Sequence, residues 1–202
     1  MYIPGKLRMP PERVGAFIKQ YGFATLITPS LEAAHLPLTL HVDERGRRWL
    51  QGHMAKANHL WREIEGQRVL AIFSGPHAYI SPHWYASAPA VPTWNYAAVH
   101  CYGRLELLDD CQLPQSMDAL IAEYEPQLLT DKQMMPAQYR QKLAAAVVGF
   151  QIEIDDIQAK EKLGQHRSCD DQRGVTAALT GSNGLEAKLL LEYMLKHQLG
   201  VG

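Results

Sequence analysis

The spacing of apolar residues changes several times along the chain, and each change marks a different element. Val14, Phe17, Ile18 and Tyr21 recur at helical spacing after Pro10-Pro11-Glu12, and a proline at the first turn is already set for a helix. Phe23 to Thr28 is an apolar run closed by Pro29, which predicts a buried strand. Residues 34–42, AHLPLTLHV, alternate, with Leu36, Leu38, Leu40 and Val42 on one face. Pro37 on the other face predicts a single edge or bulged strand. Glu44-Arg45-Gly46 turns the chain into a strand from Arg48 to His53. Ala57, Leu60, Trp61 and Ile64 then return to helical period until Gly66 stops them.

Further strands are predicted at 69–73, from the 91–103 stretch to about Leu108, and at 147–154. An aromatic, turn-rich segment fills 75–85. Residues 112–125 and 136–146 read as helices, and the tail carries two short helical patterns around 171–179 and 185–198. Short strands with tight turns predict a mainly β (α+β) architecture. The expected organisation is a small barrel over residues 1–160 with peripheral helices, then a helical C-terminal extension over 161–202. The tail helices are expected to pack as a hairpin that buries Leu185, Leu189 and Leu195.

Charge narrows the function classes. Lys and Arg total 20 against 21 Asp and Glu, a net charge of -1. That balance offers no global attraction for a polyanion. The second tail helix carries only Lys188, Lys196 and His197 as basic residues, fewer than a DNA-reading helix needs. Cys101, Cys111 and Cys169 are far apart and odd in number, so they make neither a disulfide framework nor a metal site, and a reducing cytoplasm is expected. The opening MYIPGKLRMPPERV lacks the apolar run of a signal peptide. No stretch approaches the roughly 18 apolar residues that span a bilayer, so no membrane partner is expected.

Two stretches offer chemistry. In GHMAKANHLW, residues 52–61, a strand ends at His53 and a helix begins within a few residues. Lys56 in a first turn, with Asn58 and free backbone N–H groups, suits a phosphate ester. A solvated lysine at an ordinary helix end is the alternative. In VPTWNYAAVHCYG, residues 91–103, Trp94 offers a flat apolar surface and Asn95 two donors and an acceptor, the combination an aromatic heterocycle such as a flavin uses. Core or dimer-interface packing is the alternative for Trp94 and Tyr96. Nine histidines are scattered without HExxH or helical ligand spacing, so no metal site is predicted. No nucleophile elbow, P-loop, dinucleotide fingerprint or paired catalytic carboxylates appear.

MYIPGKL, HLPL at 35–38, GHMAKANHLW, FSGPHAYISPHWY at 73–85, VPTWNYAAVHCYG and VGFQIEIDDIQAKEKLGQHRS at 148–168 resemble the PaiB family, in order and across almost the whole chain. The resemblance implies an FMN-binding split β-barrel that forms a homodimer, with flavin at the subunit interface, and a negative transcriptional regulator whose partner is DNA. It places His53, Met54, Lys56, Asn58, Trp94, Asn95, Tyr96, Lys162 and Gln165 at the cofactor. Lys56 takes the place of the phosphate-binding lysine of oxidases with this fold, and Met54 stands where those enzymes have serine. The family's KLSQN reads Lys162-Leu163-Gly164-Gln165-His166 here. An FMN-dependent oxidoreductase and a haem-binding protein are the alternative functions on this fold.

Overall fold

The computed structural model describes residues 1–202. Its strands are β1 (Phe23–Ile27), β2 (Ala33–Pro37), β3 (Thr39–Val42), β4 (Arg48–Ala55), β5 (Arg68–Ile80), β6 (Thr93–Leu107) and β7 (Val147–Lys162). The helices are α1 (Pro11–Gln20), α2 (Leu60–Ile64), α3 (Gln112–Tyr124), α4 (Ala137–Ala145), α5 (Cys169–Thr180) and α6 (Leu185–His197). The strands form one sheet in the order β2-β1-β5-β6-β7-β4-β3, in keeping with the α+β architecture that the sequence predicts.

The largest departure from the expected strands is at Pro37. Residues 34–42 are two strands, not one. β2 pairs antiparallel with β1, matching Phe23 to Pro37, while β3 pairs with β4, matching Leu40 to Leu50. They end up at opposite edges of the sheet. Proline has no N–H to give a ladder, so it closes β2. The next N–H, on buried Leu38, bonds to Gly22 O at 2.9 Å, outside either ladder. β5 and β7 also run further than predicted, to Ile80 and Lys162. Their continuations use Gly75, Ala78, Ile80, Ala159 and Glu161 as buried positions, residues too mixed in polarity to read as strand from pattern alone.

Two compact units are assembled from segments distant in sequence. The first comprises Met1–Val14, Ser74–Val99 and Gln158–Gly202; the second, Gly15–Phe73 and His100–Ile157. In the second unit Leu26, Leu50, Phe73, Leu105, Phe150 and Ile152 are fully buried, each contributing about 1.5–3 kcal/mol. A side chain at Gly103 would overlap the Glu153 carbonyl, so β6 and β7 approach each other only because that position is glycine.

In the first unit Met9, Ile80, Leu163, Leu179, Leu190 and Met194 form the core. Glu161 is 1% exposed there. It accepts a hydrogen bond from Tyr193 Oη at 2.5 Å and pairs with Arg13, joining α6 to β7 and the N-terminal segment. Ser168 caps α5 by accepting from the Asp171 N–H. The tail does form a hairpin, but not on the face expected. Leu185, Leu189 and Leu195 are exposed, and Leu190, Tyr193 and Met194 are buried. In a helix that reads KLLLEYML almost every face is apolar, so neighbours rather than period choose which one is covered.

Candidate functional site

β6 begins at Thr93, so Trp94, Asn95 and Tyr96 lie within the strand. Alternation then separates them. Trp94 is 54% exposed and Tyr96 half-buried, whereas Asn95 is 3% exposed and faces the interior. The three residues do not share one surface, as the sequence had suggested. Asn95 borders a space of about 10 Å³ with Tyr85, Leu163, Gly164 and Val175, room for one water at most.

The outward face of the first unit is different. Ser74, Gly75, His77, Trp94, Tyr96 and Ala97 line an open depression of about 280 Å³. His77 and Tyr79, both on the extended part of β5, bring their rings to 6.1 and 6.2 Å from Trp94. The sequence pattern singles out neither, because Gly75, Pro76 and Pro82 point to turns where β5 in fact continues to Ile80. An unbroken strand through Pro76 would have placed both beside Trp94.

Cations gather next to these rings. Lys162, the last residue of β7, donates to Thr93 Oγ1 and to Trp94 O, the latter at 2.9 Å. The Lys160 ammonium lies 5.3 Å above Tyr96 and donates to Tyr2 O at 3.1 Å. Arg167 stacks on Tyr85 at 4.3 Å and stands 4.0 Å from Asp171. Burial, then the charges of Lys160 and Arg167, push the Lys162 pKa down. Burial, Arg167, Lys162 and Lys6 likewise push His166 down. A lysine held among other cations favours an anion beside it.

Gln165 is committed to its own turn. Its Oε1 accepts from Leu163 N at 2.8 Å and its Nε2 donates to Glu161 O at 2.7 Å. Gly164 sits at φ +85, left-handed backbone that glycine adopts without strain.

The remaining predicted residues lie in the second unit. His53 is on β4 opposite Gly149, half-buried, with its pKa lowered by burial. Met54 is buried in the core. β4 continues to Ala55, and a turn intervenes before α2, which is only five residues long. Lys56 is therefore in a turn and not in the first turn of a helix, contrary to the spacing argument. Its backbone N–H bonds to Ala146 O at 2.9 Å and its ammonium to Ala145 O at 3.2 Å. Asn58 Oδ1 accepts from the N–H of Leu60, the first residue of α2, at 3.1 Å.

Residues 1–156 match the family described as "Putative FMN-binding domain". The chain is 36% identical over 211 aligned positions to Bacillus subtilis "Protease synthase and sporulation protein PAI 2", covering 98% of this chain and 100% of that one. The chain belongs to the PaiB family of FMN-binding proteins. A protein of Emericella nidulans, AN0679, is 29% identical over 189 positions, covering 73% of this chain and 74% of its own.

Among solved structures, the flavocytochrome Anf3 of Azotobacter vinelandii superposes with a TM-score of 0.62 at 17% identity, over 78% of this chain and 69% of that one. An FAD- and haem-binding protein of Mycobacterium smegmatis superposes with a TM-score of 0.59 at 15% identity, over 79% and 74%. At such identities the likeness establishes the shared fold. No helix is long and apolar enough to cross a membrane.

Proposed function

We propose that this protein is a cytoplasmic, FMN-binding negative transcriptional regulator that works as a homodimer, with the flavin ring lying against Trp94 where a second copy covers that face. The observation that carries the reading is the exposed Trp94–Tyr96–His77 surface beside the Lys162 ammonium. A half-exposed tryptophan among further rings is a platform for a planar heterocycle. The neighbouring cations suit the phosphate that FMN carries. These groups suit FMN in kind, aromatic rings for its ring system and an ammonium for its phosphate. FMN bound there supplies a redox-active ring. The protein's own part would be to offer Trp94 to that ring, bind its anionic end through Lys162 and, with a partner, exclude water. The regulatory part rests on the family and on the relative named for protease synthesis and sporulation.

The first measurement is the visible spectrum of the purified protein, where flavin bands are expected and a Soret band would replace this reading with the haem alternative. FMN titration should then give an affinity that falls tenfold or more in Lys162→Ala and in Trp94→Ala, about 1.4 kcal/mol each. Unchanged affinity in both would remove the cofactor from this face. A parallel Lys56→Ala titration reports whether the family's phosphate lysine acts in the second unit. Sedimentation should give a dimer. Fluorescence anisotropy against the adjoining promoter from about 50 to 200 mM salt tests DNA binding, whose electrostatic part must weaken as salt rises. No saturable binding at the lowest salt would sink the regulator.

A further inference from the structure

In the second unit α3 and α4 line a half-open cavity of about 580 Å³. We propose that it is a binding site for an uncharged, lipophilic small molecule, separate from the flavin surface and resting on none of the first unit's residues. Its volume falls within the roughly 300–1,000 Å³ of ordinary ligand sites.

Leu113, Met117 and Ile121 stand four residues apart on one face of α3, and Leu143, Ala144 and Val147 line the cavity from α4 and the start of β7. Despite this apolar lining, α4 buries no residue and α3 buries only Ser116. The helices leave their apolar faces around space instead of against each other. Met117 and Met135, unbranched and polarizable, give a wall that can adapt its shape.

The charges at the cavity decide the class of ligand. Arg140 pairs with Asp118. Lys56 donates to Ala145 O at 3.2 Å, at the carbonyl end of α4 where a cation is favoured. Asp110 sits on the exposed rim. Two cations and two carboxylates balance, and three of the four are engaged. A charged ligand would lose its hydration along the apolar wall inside a lining of zero net charge, whereas an uncharged lipophilic one gains by covering that wall.

The test uses full-length protein as purified, titrated with neutral N-phenyl-1-naphthylamine and with its sulfonated analogue 8-anilino-1-naphthalenesulfonate. Fluorescence and the methionine methyl resonances are followed together. The neutral probe should bind saturably and shift the Met117 and Met135 methyls while Met9 and Met194 stay in place. The sulfonate should bind at least tenfold more weakly. Ala144→Trp, which fills the cavity, should reduce binding of the neutral probe at least tenfold. The wild-type methyl shifts decide the matter without that variant should it fail to fold.

Equal affinity for the two probes, or saturable binding that leaves Met117 and Met135 unmoved, would overturn the proposal. So would displacement of the probe by FMN, which would put the flavin itself in the cavity. Methyl shifts on dilution alone would assign the face to a second copy of this chain and overturn it too.

Discussion

The chain carries two helix pairs, and they use their apolar residues in opposite ways. α5 and α6, in the first unit, bury Val175, Leu179, Leu190, Tyr193 and Met194. α3 and α4, in the second, bury only Ser116 and surround a cavity. Both pairs have enough aliphatic side chains to pack. What differs is the polar anchoring. α5 is capped by Ser168, Asp171 accepts from both the N–H and the Oγ of Ser87, and α6 is held by the Tyr193–Glu161–Arg13 cluster. In the other pair the cross-helix link is the half-exposed Arg140–Asp118 ion pair, and such pairs contribute little. Helix packing is fixed where buried polar groups specify one arrangement, and left adaptable where surface charges alone connect the helices.

The sharpest way to break this contrast is at the anchor. Arg13→Met should cost about 3–5 kcal/mol in a urea melt, because it strips the cation from a carboxylate that cannot reach water. Burial already pushes the Glu161 pKa up. Without Arg13 the folded state holds that proton still more readily than the unfolded chain does, so the unfolded state binds fewer protons. Stability therefore rises as pH falls, and the deficit should shrink between about pH 7 and pH 5. A deficit independent of pH would show that Glu161 is not the group responsible.

Truncation comes next. Leu190→Ala should cost about 2–4 kcal/mol, whereas Leu143→Ala, on the cavity wall, should stay within about 0.5 kcal/mol. Equal costs would mean that the two pairs are packed alike.

Added volume should separate them in the other direction. Gly174→Ala places a methyl on the Trp84 carbonyl and should lose about 1–3 kcal/mol by overpacking. Ala144→Leu has the cavity to enter, and its melting temperature should equal or exceed that of the wild type.

The smallest effect is a pH dependence in the second unit. Burial lowers the pKa of His41, His53 and His100, and His100 Nδ1 is buried without a hydrogen bond. Each takes up its proton in the fold only at a lower pH than in the unfolded chain. Their contribution is present above about pH 6.5 and is lost as pH falls below it. The melting temperature should decline from pH 7 to pH 5, and His100→Gln should flatten the slope.

Much of the fold was legible because local rules decided it. Pro11 opens α1, the apolar run from Phe23 makes β1, and helical period marks α3 and α4. The family was legible too, since long blocks rich in Trp, Gly and Pro survive in order. The site was legible only in part. Trp94 and Lys162 are brought together by the Lys162–Trp94 bond, but Asn95 faces the interior, away from Trp94, and Lys56 precedes a helix that starts later. His77 and Tyr79 were missed because β5 outruns its apolar segment.

What the sequence determined by itself was the kind of each element and the residue types able to hold a flavin, since those follow from backbone preference and side-chain chemistry. Tertiary structure alone decided which edge of the sheet each half of 34–42 joins, which face of α6 is covered and which of three consecutive residues on β6 faces solvent. Those choices depend on strand register and on neighbours far away in the chain. A shift of one residue in register turns every side chain of a strand to its other face.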